Sequence, residues 1–345
     1  MALGIETSCD ESSAALVRDG VELVSNVVAS QVDLHREYGG VVPEIAARAH
    51  VEEIIPVVSE ALVASDDRPD LIAVTVGPGL VGSLVVGISA AKGLSWSWGV
   101  PLVAVNHVEA HAFAPVLERN PLEYPFLALV VSGGHTLLAE VRGVDDMEIV
   151  GETLDDALGE AYDKVSIYLG LGYPGGPAID RVSARGRPDA VPFPRAMMAS
   201  GDYNFSLSGL KTAVIRFMEK SRKAGDAPAV ADVASSFQAA ALEVVVKKTV
   251  DAALERGLAR VVVGGGVACN SELRRWLAEA CDGNGLRLVL PSAGLCTDNA
   301  AMVASLGYYR YQAGHRSGLE LDVYPNLRLG APVPGGRSDL HGRYS

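Results

Sequence analysis

Cysteine is scarce in this sequence. Cys9, Cys269, Cys281 and Cys296 are the only four in 345 residues, too few and too dispersed for a disulfide framework or a CxxC zinc site. They suit a reducing compartment, so a cytoplasmic protein is expected. Met1 to Glu11 lacks the basic stretch and apolar core of a secretory signal. The uncharged run 71–91 contains Gly77, Pro78, Gly79, Gly82 and Gly87. It is therefore expected to be a buried strand, a tight turn and a helix, not a membrane span. No GxxxxGK[ST] segment is present, which excludes a P-loop, and no HExxH, which removes the usual zinc-peptidase signature.

Positive charge is also in deficit. A net charge of −13 argues against a chain that grips nucleic acid over its whole surface. The deficit is uneven: residues 1–120 carry 16 acidic and 6 basic side chains, whereas 181–223 carry 9 basic and 3 acidic. That one stretch could meet a polyanion, or be no more than a solvated basic face.

The length implies two domains, because a single core rarely keeps growing past this size. Strands are expected at 2–6, 13–17 and 21–28, a helix at 43–64, then strand 71–76, helix 81–98 and strand 102–105. A second cycle starts with strands at 126–131, 135–141 and 148–150. Helices at 156–169, 207–219 and 230–256 follow, then strand 260–263, helix 271–280, strand 286–290 and helix 297–311. One plan is thus repeated twice. The class is α/β: two domains of mixed sheets flanked by helices around a central cleft, as in actin, sugar kinases and heat-shock chaperone ATPases. The expected division is 1–120 together with a C-terminal helix at about 298–325, then 121–297, with 326–345 as a tail.

His107 and His111 lie four residues apart at the start of a helix, on one face, and could chelate one metal; two unrelated buried histidines are the plainer reading. Glu109, about 200° from His107, points away. Asp298 opens another helix, where an N-cap role would suffice. The glycine turns at 77–82, 132–134, 173–177 and 264–266 mostly end strands, and together they suggest a phosphate or nucleotide cleft. Asp163 and Asp180 are placed to meet ribose hydroxyls, although each alone would pass for a surface carboxylate.

The blocks Glu6-Thr-Ser-Cys-Asp-Glu11, Pro43-Glu-Ile-Ala-Ala-Arg-Ala-His50, Gly77-Pro-Gly-Leu-Val-Gly-Ser-Leu84, Asn106-His-Val-Glu-Ala-His111, Val131-Ser-Gly-Gly-His-Thr136, Ala161-Tyr-Asp-Lys-Val165, Tyr173-Pro-Gly-Gly-Pro177, Phe205-Ser-Leu-Ser-Gly-Leu-Lys211, Gly264-Gly-Gly-Val-Ala-Cys-Asn270 and Cys296-Thr-Asp-Asn-Ala300 span nearly the whole chain in order. Together they resemble the tRNA threonylcarbamoyladenosine transferase family, in its bacterial form. The resemblance implies an actin-like fold and one divalent metal, iron or zinc, held by His107, His111 and Asp298. It also implies a threonylcarbamoyl-adenylate site at Val130, Val131, Ser132, Gly133, Gly134, Asp163, Gly176, Asp180 and Asn270. The implied reaction moves the threonylcarbamoyl group to the N6 amino group of the adenosine 3′ of the anticodon in tRNAs reading codons that begin with adenine, releasing AMP. The implied partners are tRNA, a shorter paralogue and a small ATPase. Asp10 and Glu11 are candidate general bases, and Arg181, Arg185 and Arg187 candidate tRNA contacts. An actin-like ATPase or kinase and a metallopeptidase are the alternatives. The first would use carboxylate-held magnesium instead of histidines, and the second needs a base that Glu109 is turned away from providing.

Overall fold

A computed structural model of the chain describes residues 1–118 and 123–333, which form two five-stranded sheets built on one plan. In the first, β1 (Ala2–Glu6), β2 (Glu11–Arg18) and β3 (Glu22–Ser30) make an antiparallel meander; β4 (Leu71–Gly77) and β5 (Leu102–Asn106) add in parallel, in the order β3-β2-β1-β4-β5. Helices α1 (Val32–Arg36), α2 (Pro43–Val63) and α3 (Val81–Trp98) fill the crossovers, and α4 (His107–Phe113) leaves β5 without a loop. β1 and β4 are buried along their whole length. Central strands covered on both faces read as unbroken apolar runs, not alternating ones.

The second sheet repeats this arrangement. Its meander is β6 (Phe126–Val131), β7 (Thr136–Gly143) and β8 (Asp146–Glu152). After it come α5 (Leu158–Tyr168), α6 (Gly175–Ser183), α7 (Ser208–Lys223), α8 (Val230–Glu255), β9 (Arg260–Gly264), α9 (Ser271–Gly283), β10 (Arg287–Val289), α10 (Ala293–Cys296) and α11 (Ala300–Gln312). The order β8-β7-β6-β9-β10 matches the first sheet strand for strand.

α4 and α11 lie between the sheets. One apolar cluster joins Val103, Val105 and Phe113 to Ala128, Val130 and Val262, with Met302 and Leu306 of α11 within it. Helix α11 packs on β1, β2 and β4. The run 71–91 is β4, a turn and the start of α3, as its glycines required, and no helix among the described residues is long and apolar enough to cross a membrane.

Two local expectations need correction. The helix expected from Thr297 begins at Ala300, and Asn299 caps it, its side chain accepting from the Met302 amide at 3.1 Å. Asp298 is therefore released from capping. Residues 326–333 are no loose tail: Leu327 and Leu329 are buried, Asn106 donates to the Arg328 carbonyl, and Gly330 donates to Glu109. The rest of that expected tail, 334–345, and the expected boundary at 120/121 lie outside the described residues.

Candidate metal centre and cleft

The Asn106 side chain makes the abrupt exit from β5 possible. Its Oδ1 accepts from the amides of Val108 (2.9 Å) and Glu109 (3.3 Å), capping α4 at once. His107 and His111 then stand one turn apart, their rings edge to face with centroids 4.8 Å apart. Asp298 Oδ1 lies 3.5 Å from His107 Nε2 and 3.2 Å from His111 Nε2. One ligand atom from each of the three residues falls within 4.8 Å of the others.

The surroundings of the two imidazoles differ. His107 Nδ1 donates to Glu6 Oε2 at 3.0 Å, and the buried Glu6 carboxylate also accepts from the Thr75 hydroxyl (2.6 Å) and the Ser8 amide (2.5 Å). With Nδ1 held in this way, Nε2 is turned toward Asp298. His111 is 1% exposed, and neither of its ring nitrogens makes a hydrogen bond. Its Nε2 is near Asp298 but not in hydrogen-bond geometry. A buried imidazole without a partner is costly. Two such nitrogens beside a carboxylate fit a divalent ion such as zinc or iron(II).

Charge is concentrated here. Burial opposes protonation of His107, yet Asp298 and Glu6 prevail and push it up to about 9. Burial would raise Asp298, but His107 and His111 hold it well below the usual carboxylate range. Burial, followed by the charges of His107 and His111, pushes His135 down to about 4, so this neighbour is neutral. Burial, with Asp298 and Asp10 nearby, drives Glu11 up to about 10.

Glu109 faces the other way, as the helical spacing required. It forms a buried ion pair with Arg310 and accepts from the Gly330 amide at 2.8 Å. Gly264 at the end of β9 closes the second sheet onto α4: a Cβ there would stand 2.4 Å from the His111 carbonyl oxygen.

The residues expected to hold an adenylate lie on β6, in the turn after it, on α5 and α6 and at the N-cap of α9. Val130 and Val131 are buried in the core, so only their backbone can serve. Ser132 closes a tight turn, its amide donating to the His135 carbonyl (2.8 Å) and its Oγ accepting from the His135 amide (3.1 Å). Gly133 and Gly134 have open space where a Cβ would be, as does Gly176 in the first turn of α6. Asp163 accepts from the Gly175 amide at 2.6 Å, tying α5 to α6. Asp180 accepts from the Ser271 amide (3.1 Å) and hydroxyl (2.9 Å), tying α6 to α9. Asn270 caps α9 and donates to Gln238. The charge of Asp10 is felt at Asp163 and at Tyr173, so Asp10 lies near these residues.

The basic stretch is less free than its composition suggests. Arg187 is paired with Asp232, Arg195 with Glu243 and Lys211 with Asp156. Among the described residues Arg181, Arg185 and Arg216 have no ion-pair partner.

Sequence reasoning assigned no role to Glu6, His135 or Gln238. Glu6 did leave a signal, a carboxylate at the end of a buried strand and at the head of a matching block. Replacing Glu6 by Gln should leave the fold intact and weaken metal affinity about 10–100-fold, as loss of a carboxylate behind a ligating histidine typically does. Competition with a chelator would measure it, and unchanged affinity would remove Glu6 from the centre.

The model of the family "tRNA N6-adenosine threonylcarbamoyltransferase" matches residues 22–305. A protein of that name from Geobacter sp. (strain M21) is 52% identical over 94% of this chain and 95% of its own length. One from Symbiobacterium thermophilum is 51% identical over 96% and 97%. Among solved structures, HypF from T. kodakarensis superposes with a TM-score of 0.60 at 16% identity, over 90% of this chain and 48% of that one; this likeness bears on fold alone. With a family model across most of its length and half its residues shared with such relatives, the chain belongs to the tRNA N6-adenosine threonylcarbamoyltransferase family.

Proposed function

We propose that the chain transfers the threonylcarbamoyl group of threonylcarbamoyl-adenylate to N6 of the adenosine 3′ of the anticodon, in tRNAs reading codons that begin with adenine, and releases AMP. The observation that carries this reading is the meeting of His107, His111 and Asp298, two of the four imidazole nitrogens being without partners. The adenine amino group is a poor nucleophile, so the acyl donor must arrive activated and be held close. The mixed anhydride supplies the activation. Backbone amides at Gly133, Gly134 and Gly176 face the phosphate, and Asp163 and Asp180 accept from the ribose. When held by His107, His111 and Asp298, iron or zinc would supply a Lewis acid to the carbamoyl oxygen. Asp10 and Glu11 are the candidates to accept the amine proton.

Asp163 makes the adenylate site testable. Burial raises its carboxyl to about 6 against the Gly175 hydrogen bond, so it loses its charge as pH falls through that value. Adenylate affinity should therefore decline below about pH 6 in wild type and stay flat in Asp163→Asn. A parallel decline in both proteins would take Asp163 out of the site.

For tRNA, Arg181, Arg185 and Arg216 are the candidate phosphate contacts. The Arg185→Ala, Arg216→Ala double variant should lower the log–log salt slope of tRNA binding by about two units while adenylate binding survives. An unchanged slope would place the tRNA surface elsewhere.

The acidic half offers a partner surface. Val51, Ile55 and Val63 on α2 and Val81, Val85 and Trp96 on α3 are exposed apolar side chains on adjacent helices. This face suits a shorter paralogue, with a small ATPase joining the assembly.

A further inference from the structure

His50 takes no part in the chemistry above, yet it is fully buried against the segment that carries the candidate bases. It stands on α2, which packs on β2. Its Nε2 lies 3.0 Å from the Cys9 carbonyl oxygen, and its Nδ1 lies 2.6 Å from Ser12 Oγ, which in turn is 2.8 Å from Glu53 Oε2. The single Ser12 hydroxyl proton can serve either of its neighbours. At the other end of the ring there is no choice: a carbonyl oxygen only accepts, so Nε2 carries a proton and donates to Cys9.

The Cys9 carbonyl belongs to the peptide that enters Asp10. Ser83 Oγ also donates to it, at a longer 3.4 Å. The peptide that leaves Asp10 is held as well, because the Gln31 amide donates to the Asp10 carbonyl at 2.9 Å. Peptide units are planar, so fixing the two that flank a residue sets its φ and ψ, and with them the direction of its Cα–Cβ bond. The buried Asp10 is thus aimed from both sides. Glu11 differs, since it opens β2 opposite Ser30 and takes its direction from the sheet. The Ser8 carbonyl is tied separately to the Leu80 amide at 2.8 Å, so the chain before Cys9 does not depend on His50.

We propose that His50 is a positioning residue of the transferase, which holds the Cys9–Asp10 peptide and so aims the Asp10 carboxylate at the proton it accepts. This role rests on the transfer reaction proposed above. There the bond from N6 to the carbamoyl carbon forms, the bond from that carbon to the AMP oxygen breaks, and the amine proton passes to Asp10.

The two ends of the ring can be separated by substitution. A glutamine amide reaches the Nε2 position and can still donate to Cys9, whereas an asparagine amide reaches only the Nδ1 position and can serve only Ser12. Both leave part of a buried site unfilled, so a merely structural role would penalise them alike. Metal-loaded protein, with whichever partners its assay needs, should show kcat about 10–100-fold lower in His50→Asn, as a small misplacement of a reacting group costs, with KM for adenylate and tRNA unchanged. His50→Gln should restore most of that rate. In an Asp10→Asn background, His50→Asn should cost nothing further, because the two residues act as one unit. Crystal structures should show the Cys9 carbonyl turned away in His50→Asn and held in His50→Gln. Equal rates in the two variants, a loss confined to KM, additive costs in the double variant, or an unmoved Cys9 carbonyl in His50→Asn would each overturn the proposal. The crystallographic readout does not depend on which group is transferred, so it separates failure of the His50 role from failure of the proposed reaction.

Discussion

His111→Ala is expected to yield a folded protein that retains no metal after purification and transfers no detectable threonylcarbamoyl group. His111 makes no hydrogen bond through either ring nitrogen, so, apart from ring volume, the substitution removes only a ligand. Asp298→Ala should behave alike, because Asp298 does not cap α11. Elemental analysis of anaerobically purified protein measures the first effect, and nucleoside analysis of reacted tRNA the second. A full metal equivalent in His111→Ala would show that the ion binds elsewhere.

Glu109→Ala is expected to act on stability instead. Its position between the two histidines suggests catalysis, and its orientation away from them suggests indifference; neither describes it. Glu109 is 1% exposed and neutralises Arg310, which is 7% exposed and in turn donates to the Ala104 carbonyl. Removing one partner of a buried pair strands the other, at a cost of about 3–5 kcal/mol. The Gly330 amide would lose its acceptor as well. A urea titration should show a clearly lowered midpoint, with the metal content of the folded fraction unchanged. Wild-type stability in Glu109→Ala would mean that Arg310 finds another partner.

The fold was largely legible because its repeat is written in apolar runs. β6, for instance, is Phe-Leu-Ala-Leu-Val-Val and is buried at every position. The His107–His111 face and the aversion of Glu109 followed from helical geometry alone. α6 did not follow, because Pro174-Gly-Gly-Pro177 reads as a turn. A proline is tolerated in a helical first turn, where its missing amide would have had no partner anyway. The role of Glu6 depends on a contact 101 residues away in sequence. The neutralisation of Arg187, Arg195 and Lys211 depends on carboxylates from other elements. Such long-range pairings leave no local periodicity, so a charge count overstated the basic surface.

The most direct test is a transfer assay with defined components: metal-loaded protein and any partner subunits it requires, threonylcarbamoyl-adenylate and unmodified tRNA. The expected result is one AMP released for each threonylcarbamoyladenosine formed, with both products absent when His107, His111 or Asp298 is replaced by alanine. Modified tRNA formed at the wild-type rate by a metal-free His111→Ala protein would contradict the account.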